Sequence, residues 1–404
     1  MESPFVVATT FQEFLQEVFS MLHRRAFLNT SMAGLLLARK SAFAGEPNSR
    51  LIVHSRVPRN AEPPLDVLVK SWITPNDLFY VRSHTTVPKV DVDTFRLSVE
   101  GMVERPFQLS LLQLQTEFGK RTAAATLTCA GNRRSEHSLV KAVSGVPWGA
   151  GAIGNAEWGG ARLSDLLKKA GIKEGAKHIW FEGTDQIERG SGVIPFGASI
   201  PLRKAFHHTA AMPSAMVAYE MNGVPLPPDH GFPMRTVVPG YIGARSVKWL
   251  GKIIVSDRPS PNHYVANAYK LVTEGTDKEW STALPIGPFT INSVICTPPR
   301  GARVKSGRLS VAGYALAPGL SGRSVRDVEV STDGGQSWTT ARLTTPPKPF
   351  CWQFWKADVV VSPGTTELTT RTVDSAGNAQ PETVAWNLKG YMYNAWYQSP
   401  IDPR

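Results

Sequence analysis

The sequence is poor in cysteine. It has three in 404 residues, Cys129, Cys296 and Cys351, too few and too widely spaced for a disulfide scaffold. No CxxC or CxxCH run is present, which excludes an encoded zinc ribbon or an attached c-type haem. Long apolar runs are missing as well: the cluster around Leu35 to Leu37 is shorter than the ~20 residues a membrane helix needs. The chain also lacks a basic stripe. Its 44 Lys and Arg outnumber 33 Asp and Glu to give +11, but they are scattered and no nucleic-acid-binding module is recognisable. No tandem repeat or low-complexity tract occurs, which excludes a solenoid. What remains is a chain with 42% hydrophobic and 19% charged residues, ordinary for a folded protein and long enough for two cores. Its positive balance suits attraction of small anions.

The N-terminal stretch MLHRRAFLNTSMAGLLLARKSAFAGE, from Met21, combines paired Arg24 and Arg25, a short apolar run and the small-residue site Ala42-Phe43-Ala44. This resembles a twin-arginine export signal, which carries folded proteins across the bacterial inner membrane. Residues 1–44 are expected to be removed and the mature protein to be periplasmic, without a membrane span, with Met21 an alternative start. Cleavage after Ala44 removes four basic and three acidic residues and leaves +10.

Residues 45–284 mix short strands, few helices and many Gly/Pro turns, without the alternation of a Rossmann domain, and are expected to form an α+β domain. A helix is expected where Ser164 serves as cap, Leu166, Leu167 and Ala170 share a face and Gly171 stops the run. The strand KHIWFEG comes next. Asn222-Gly223 within MVAYEMNGVPL reads as a hairpin turn, and RSVKWLGKIIVSD brings Arg245 and Lys248 to the start of a strand. Residues 285–404 read as short β segments, RLSVAGYAL, VRDVEVSTDGGQSW, CWQFWKADV and ELTTRTVDSAGN, spaced as in an immunoglobulin-like, all-β sandwich. There Asp333-Gly334-Gly335 should turn a hairpin. Val328 and Val330 should face inward with Glu329 outward, and Trp352 and Phe354 should alternate with an outward Gln353.

The chemistry concentrates in TLTCAGNRRSEHS. AATLTCAGN reads as a strand ending in a turn, which places the Cys129 thiol at a strand end with Arg133 and Arg134 close behind. Cys296 and Cys351 are expected to be buried, small apolar side chains. A thiolate near fixed cations serves as a soft-metal ligand or as a nucleophile. One cysteine does not hold a metal unaided, but it suffices when an organic cofactor supplies the other sulfurs, which points to molybdopterin.

TCAGNRRSE, with FYVRSH before it and DHGFPMR and GARSVKW after it, resembles the sulfite oxidase family of molybdenum enzymes, in order and over roughly residues 60–400. The resemblance implies a molybdenum held by the two sulfurs of one molybdopterin, two oxygen ligands and Cys129, and a sandwich domain that forms a homodimer. It implies substrate-pocket roles for Arg82, Arg134 and Tyr269, and cofactor roles for Arg82, Ser83, His84, Asp185, His230, Arg235, Ser246, Val247 and Lys248. Two positions depart from the animal enzymes. Lys389 in WNLKG stands where they carry a third pocket arginine, and Ser144 stands where they carry lysine. The expected reaction is sulfite oxidation with electrons passed to an external c-type cytochrome, since no haem-binding segment is recognised in this chain. Oxidation of another sulfur compound, nitrate reduction, and a catalytically dead secreted binding protein are the alternatives.

Overall fold

The computed structural model describes residues 50–206 and 213–404, so the export segment and its cleavage site lie outside the described residues. The first part of the chain is built on three larger sheets and a two-stranded one formed by Ile187–Arg189 and Gly192–Ile194. A small antiparallel sheet joins Ile52–Ser55, Asn60–Glu62 and Val81–Arg82. A five-stranded mixed sheet runs in the order Gly197–Pro201, His178–Gly183, Leu250–Ser256, Leu97–Gly101, Phe107–Leu109, with Leu250–Ser256 parallel to Leu97–Gly101. The third sheet orders Val224–Pro225, Met216–Met221, Ile153–Arg162 and Arg121–Thr128, and Arg235–Val237 also pairs with Met216–Met221. The expected hairpin is present: Met221 pairs with Val224, and Asn222 and Gly223 both have positive φ, at 53° and 78°.

The helix expected from Ser164 spans Leu163–Ala170, with Gly171 at φ 69° donating its N–H to Leu167 and Lys168 carbonyls. Ser164 is not its cap. Arg162 occupies that position without a side-chain cap, and Ser164 is buried in the first turn with a hydroxyl unpaired among the described residues. The N-terminus there is fixed by packing of Leu163, Leu166, Leu167 and Ala170 against the mixed sheet, which outweighs cap chemistry.

The C-terminal part is a sandwich of two sheets. One orders Asn292–Thr297, Gly307–Leu316, Gln353–Val361 and Arg342–Leu343; the other orders Ala302–Val304, Tyr397–Pro403, Glu367–Asp374, Val325–Ser331 and Thr339–Thr340. Val328 and Val330 face the core as expected, and the Asp333-Gly334-Gly335 turn joins the paired strands Val325–Ser331 and Thr339–Thr340. Gln353 departs from the expected alternation: it is buried between Trp352 and Phe354, and its side-chain amide donates to the Thr345 carbonyl. A hydrogen-bonded amide tolerates burial where an unpaired one does not.

The sandwich shares its core with the first part of the chain. One cluster of buried residues runs from Val328, Tyr314 and Trp355 to Ala130, Ile153 and Tyr269. Trp72 and Trp352 exchange hydrogen bonds, each indole N–H donating to the other's carbonyl at 3.1 and 3.0 Å. Thr126 donates its N–H to Phe350 and accepts from Trp352, tying the strand that ends at Cys129 to the sandwich. Cys296 and Cys351 are free and buried, and burial pushes both thiols up, to about 12 for Cys351. That fits the small apolar role expected of them.

Candidate active site

Strand Arg121–Thr128 delivers Cys129 to the point where three sequence motifs meet. The Cys129 N–H donates to the Ala152 carbonyl at 2.9 Å, and its Sγ accepts from the Gly131 N–H at 3.4 Å. The chain then turns sharply, with Arg133 at φ 67°, into helix Arg134–Val140. The two adjacent arginines therefore part company. Arg133 is fully buried away from the cleft, paired through Nε and Nη2 with Glu136, bonded by Nη1 to Asn292 Oδ1 and the Ala395 carbonyl, and set 5.0 Å from both the Tyr393 and Tyr397 rings. It anchors the turn to the sandwich.

Arg134 points the other way, into a slot made by three glycines. A Cβ on Gly131 would lie 2.5 Å from Nη2, one on Gly145 3.0 Å from Nη1, and one on Gly390 2.8 Å from Cγ. Nε donates to the Lys389 carbonyl at 2.8 Å and Nη1 to Val146 at 2.7 Å, which leaves Nη2 without an acceptor among the described residues.

A cleft of about 690 Å³, its solvent-filled mouth included, opens over Cys129. Ten of the thirteen site residues expected from the sequence line it: Arg82, Ser83, His84, Cys129, Asp185, His230, Arg235, Ser246, Lys248 and Tyr269. Arg134 and Lys389 are not among its lining: Arg134 reaches Tyr269 through Tyr391, and Lys389 meets Arg134 by its backbone carbonyl. Lys389 Nζ donates to Ser144 Oγ at 3.3 Å, so the two positions that depart from the animal pattern touch each other. Val247 differs from expectation. Its side chain is buried in the core and its N–H donates to Thr236 Oγ1 at 2.7 Å.

Arg82 is placed by its pairing with Asn60 across the small sheet. Its Nη1 donates to Asn60 Oδ1 at 3.1 Å and to the Ser83 carbonyl, and its Nη2 donates to His84 Nε2 at 2.9 Å. His84 accepts this bond as a neutral ring: burial, then the charges of Arg82 and Lys248, hold its pKa well below the usual value. Tyr269 reaches the same Nε2 with its hydroxyl at 3.4 Å. Its backbone adopts φ 48°, and burial raises its phenol pKa.

The cleft wall also gathers the cations Arg235 and Lys248, whose neighbouring carboxylates are Asp185 and Asp229. Arg235 is buried and bonded to carbonyls, of His230, Ser246 and Thr236, and burial pushes it down to about 10. Lys248, partly exposed to the cleft it lines, donates to Ser83 Oγ at 3.0 Å and the Asp229 carbonyl at 2.8 Å. Burial and then Arg235 push its ammonium down to about 7. His230, whose Nε2 donates to the Asn76 carbonyl, is driven by burial to about 4. Asp229 is engaged by Arg59, and Asp185 Oδ1 accepts from the Phe196 N–H at 3.0 Å with its pKa raised by burial. Enclosed cations held against their own charge are compensated by a bound anion. Among the described residues no group of three or more His, Cys, Asp or Glu is placed to hold a metal ion. A single thiol, a carboxylate acceptor and a cluster of cations fit a pterin cofactor that brings its own sulfurs and a terminal phosphate.

Sequence reasoning missed several residues. Tyr80, stacked on Phe79 at 5.3 Å, lines the cleft, as do Phe196 and Asp229. Tyr80 and Asp229 lie inside the motifs FYVRSH and DHGFPMR, so membership in those motifs was their signal; Phe196 and Tyr391 lie outside every quoted motif.

The sequence matches the family model "Oxidoreductase molybdopterin binding domain" over residues 84–264 and "Mo-co oxidoreductase dimerisation domain" over 284–404. It is 44% identical over 371 residues to the sulfite oxidase of Gallus gallus, covering 88% of this chain and 79% of that one. It is 39% identical over 370 residues to an NAD(P)H nitrate reductase of Hordeum vulgare, covering 85% of this chain and 41% of the reductase. In three dimensions it resembles the sulfane dehydrogenase SoxCD of Paracoccus pantotrophus, with a TM-score of 0.72, 28% identity, and 85% and 84% of the two chains covered. With a lone thiol and a cluster of cations in one cleft, both domains matched in order and this degree of identity, the chain belongs to the sulfite oxidase family of molybdenum-dependent, molybdopterin-binding oxidoreductases.

Proposed function

We propose that this protein oxidises sulfite to sulfate. The observation that carries the reading is the grouping of the Cys129 thiol, the Arg82 guanidinium and the Tyr269 phenol in one cleft with Arg235 and Lys248, and with Arg134 Nη2 nearby, free of acceptors among the described residues. When bound, the molybdenum cofactor supplies two-electron redox chemistry and the oxygen atom that passes to sulfur. Asp185 would hold the pterin's amide edge, and Arg235, Lys248, His230 and Ser246 its phosphate; Cys129 would complete the metal's coordination. Arg82 and Arg134 bind the anion through charge-assisted hydrogen bonds from their planar guanidinium groups. Neutral His84 keeps Arg82 turned toward the cleft, and the Tyr269 hydroxyl is a further donor for an oxyanion oxygen. Sulfite and water give sulfate, two protons and two electrons, and the electrons leave to an external acceptor.

That acceptor is a c-type cytochrome in our reading, with the protein exported to the periplasm by its twin-arginine segment and paired as a homodimer through its sandwich domain. The domain divisions 1–44, 45–284 and 285–404 belong to the same reading. The match to a sulfane dehydrogenase keeps a second sulfur substrate in the test. The purified protein is expected to contain about one molybdenum per chain and to reduce ferricyanide or cytochrome c with sulfite. Turnover that is faster with thiosulfate, or present with nitrate as oxidant and absent with sulfite, would overturn the substrate assignment. In the same assay Cys129→Ala is expected to fold and to be inactive.

A further inference from the structure

Tyr391 comes from the C-terminal part of the chain, directly after the WNLKG segment, and its residue type alone gives no sign of a role. In the structure it stands between two residues of the pocket. Its ring stacks on Tyr269 with centroids 5.2 Å apart and planes 14° from parallel, and the Arg134 guanidinium carbon lies over it at 5.3 Å. Tyr269 has in turn the buried Arg245 guanidinium over its ring at 5.9 Å. A cation, two aromatic rings and a second cation thus form a continuous series from Arg245 to Arg134. Such contacts are attractive between a guanidinium and a ring face, and between offset rings.

The backbone that carries Tyr391 is held on both sides. Asn387 Oδ1 accepts from the Tyr391 N–H and Asn387 Nδ2 donates to the Tyr391 carbonyl, both at 2.9 Å. The next residue, Met392, donates its N–H to the Ala130 carbonyl at 2.7 Å, one residue from Cys129. Gly390, at φ 57°, lets the segment pass against the Arg134 stem. Tyr269 is held just as firmly. Its carbonyl accepts from the Ile286 N–H at 2.8 Å, while Arg245 Nε donates to the Ile286 carbonyl at 2.8 Å. A non-glycine residue at φ 48° persists where the surroundings over-determine it.

We propose that Tyr391 is a positioning residue of the oxyanion pocket: its ring, packed against both the Arg134 guanidinium and the Tyr269 ring, fixes the two substrate-binding groups relative to each other. Its hydroxyl makes no hydrogen bond among the described residues, so the ring face and not the phenol carries the role. The inference rests on the sulfite reading, in which Arg134 and Tyr269 contact the substrate.

The test compares holoenzymes of Tyr391→Phe and Tyr391→Leu with wild type for molybdenum content, sulfite kinetics and inhibition by sulfate. The phenylalanine variant keeps the stack and is expected to hold KM within about twofold of wild type. The leucine variant is expected to raise KM for sulfite and the inhibition constant for sulfate together, each about tenfold, with kcat changed less than about threefold and molybdenum per chain unchanged. An unchanged KM in the loaded leucine variant, or equal damage by phenylalanine and leucine, would overturn the proposal. Should Tyr391→Leu fail to load cofactor, Tyr391→Met offers similar volume without a ring and must give the same split; failure of loading in both assigns the residue to the fold and overturns the proposal too. If wild type does not oxidise sulfite, the substrate reading fails separately, and the same comparison is made with whichever anion wild type turns over.

Discussion

At the residue scale the decisive feature is enclosed cationic charge that the neighbouring carboxylates Asp185 and Asp229 do not fully offset, and Lys248 bears its consequence. Its ammonium is pushed to about 7 by burial and by Arg235, against the ordinary lysine value of about 10.4. Between those values the unfolded chain holds a proton that the folded, cofactor-free protein has released, so stability from this group rises with pH across that window. An anion in the cleft reverses the balance by favouring the protonated lysine. Inorganic sulfate, whose own charge is constant here, is therefore expected to raise the melting temperature of cofactor-free protein more at pH 6 than at pH 9. In Lys248→Met that pH dependence should vanish while the general salting effect remains. Equal sulfate shifts at both pH values in wild type would show that Lys248 does not face the anion.

The same scale shows what the sequence could and could not tell. Cys129, Arg82, Lys248 and their partners lie inside contiguous motifs whose residue types announce thiolate and anion chemistry, and the fold brings ten of the thirteen expected residues to one cleft. By residue type alone adjacent Arg133 and Arg134 are equivalent, and the family resemblance is what assigns Arg134 to the pocket. Only the left-handed turn at Arg133 separates them, sending one guanidinium into the domain junction and the other toward the pocket. Backbone handedness at a non-glycine residue has no composition signal. Val247 sits in a motif whose neighbours face the cleft, and residue type alone does not say which way a peptide N–H points.

At the scale of elements, glycine marks two different needs. Gly223 and Gly390 have comparable φ, 78° and 57°, so alanine at either meets a left-handed penalty of about 1–2 kcal/mol. Their surroundings differ. A Cβ at Gly223 meets nothing within 4 Å, whereas at Gly390 it lies 2.8 Å from Arg134 Cγ. Gly223→Ala is expected to lower stability in urea by about that penalty and to leave sulfite kinetics unchanged. Gly390→Ala should lose stability to a similar degree and also raise KM for sulfite, because the Arg134 stem must move. Matching KM values in the two variants would remove the glycine slot from the account. Hairpin and strand periodicities were legible because local chemistry decides them. The Ser164 cap and the outward Gln353 were not, because tertiary packing decides those.

At the scale of the whole molecule, net charge acts on every charged reactant. The chain carries +11, and +10 from residue 45 onward, so its field attracts sulfite and any anionic acceptor and opposes a basic one. Screening shortens that field to about 10 Å at 0.1 M ionic strength. Raising ionic strength from about 10 to about 200 mM is therefore expected to slow sulfite-dependent reduction of ferricyanide several-fold. Reduction of a basic cytochrome c under the same change should hold steady or quicken, since salt there relieves repulsion. A basic cytochrome whose reduction slows as steeply as that of ferricyanide would show that an acidic patch near the site, and not the net charge, governs docking. A ferricyanide rate indifferent to salt would show that long-range charge has no part in delivering reactants to the cleft.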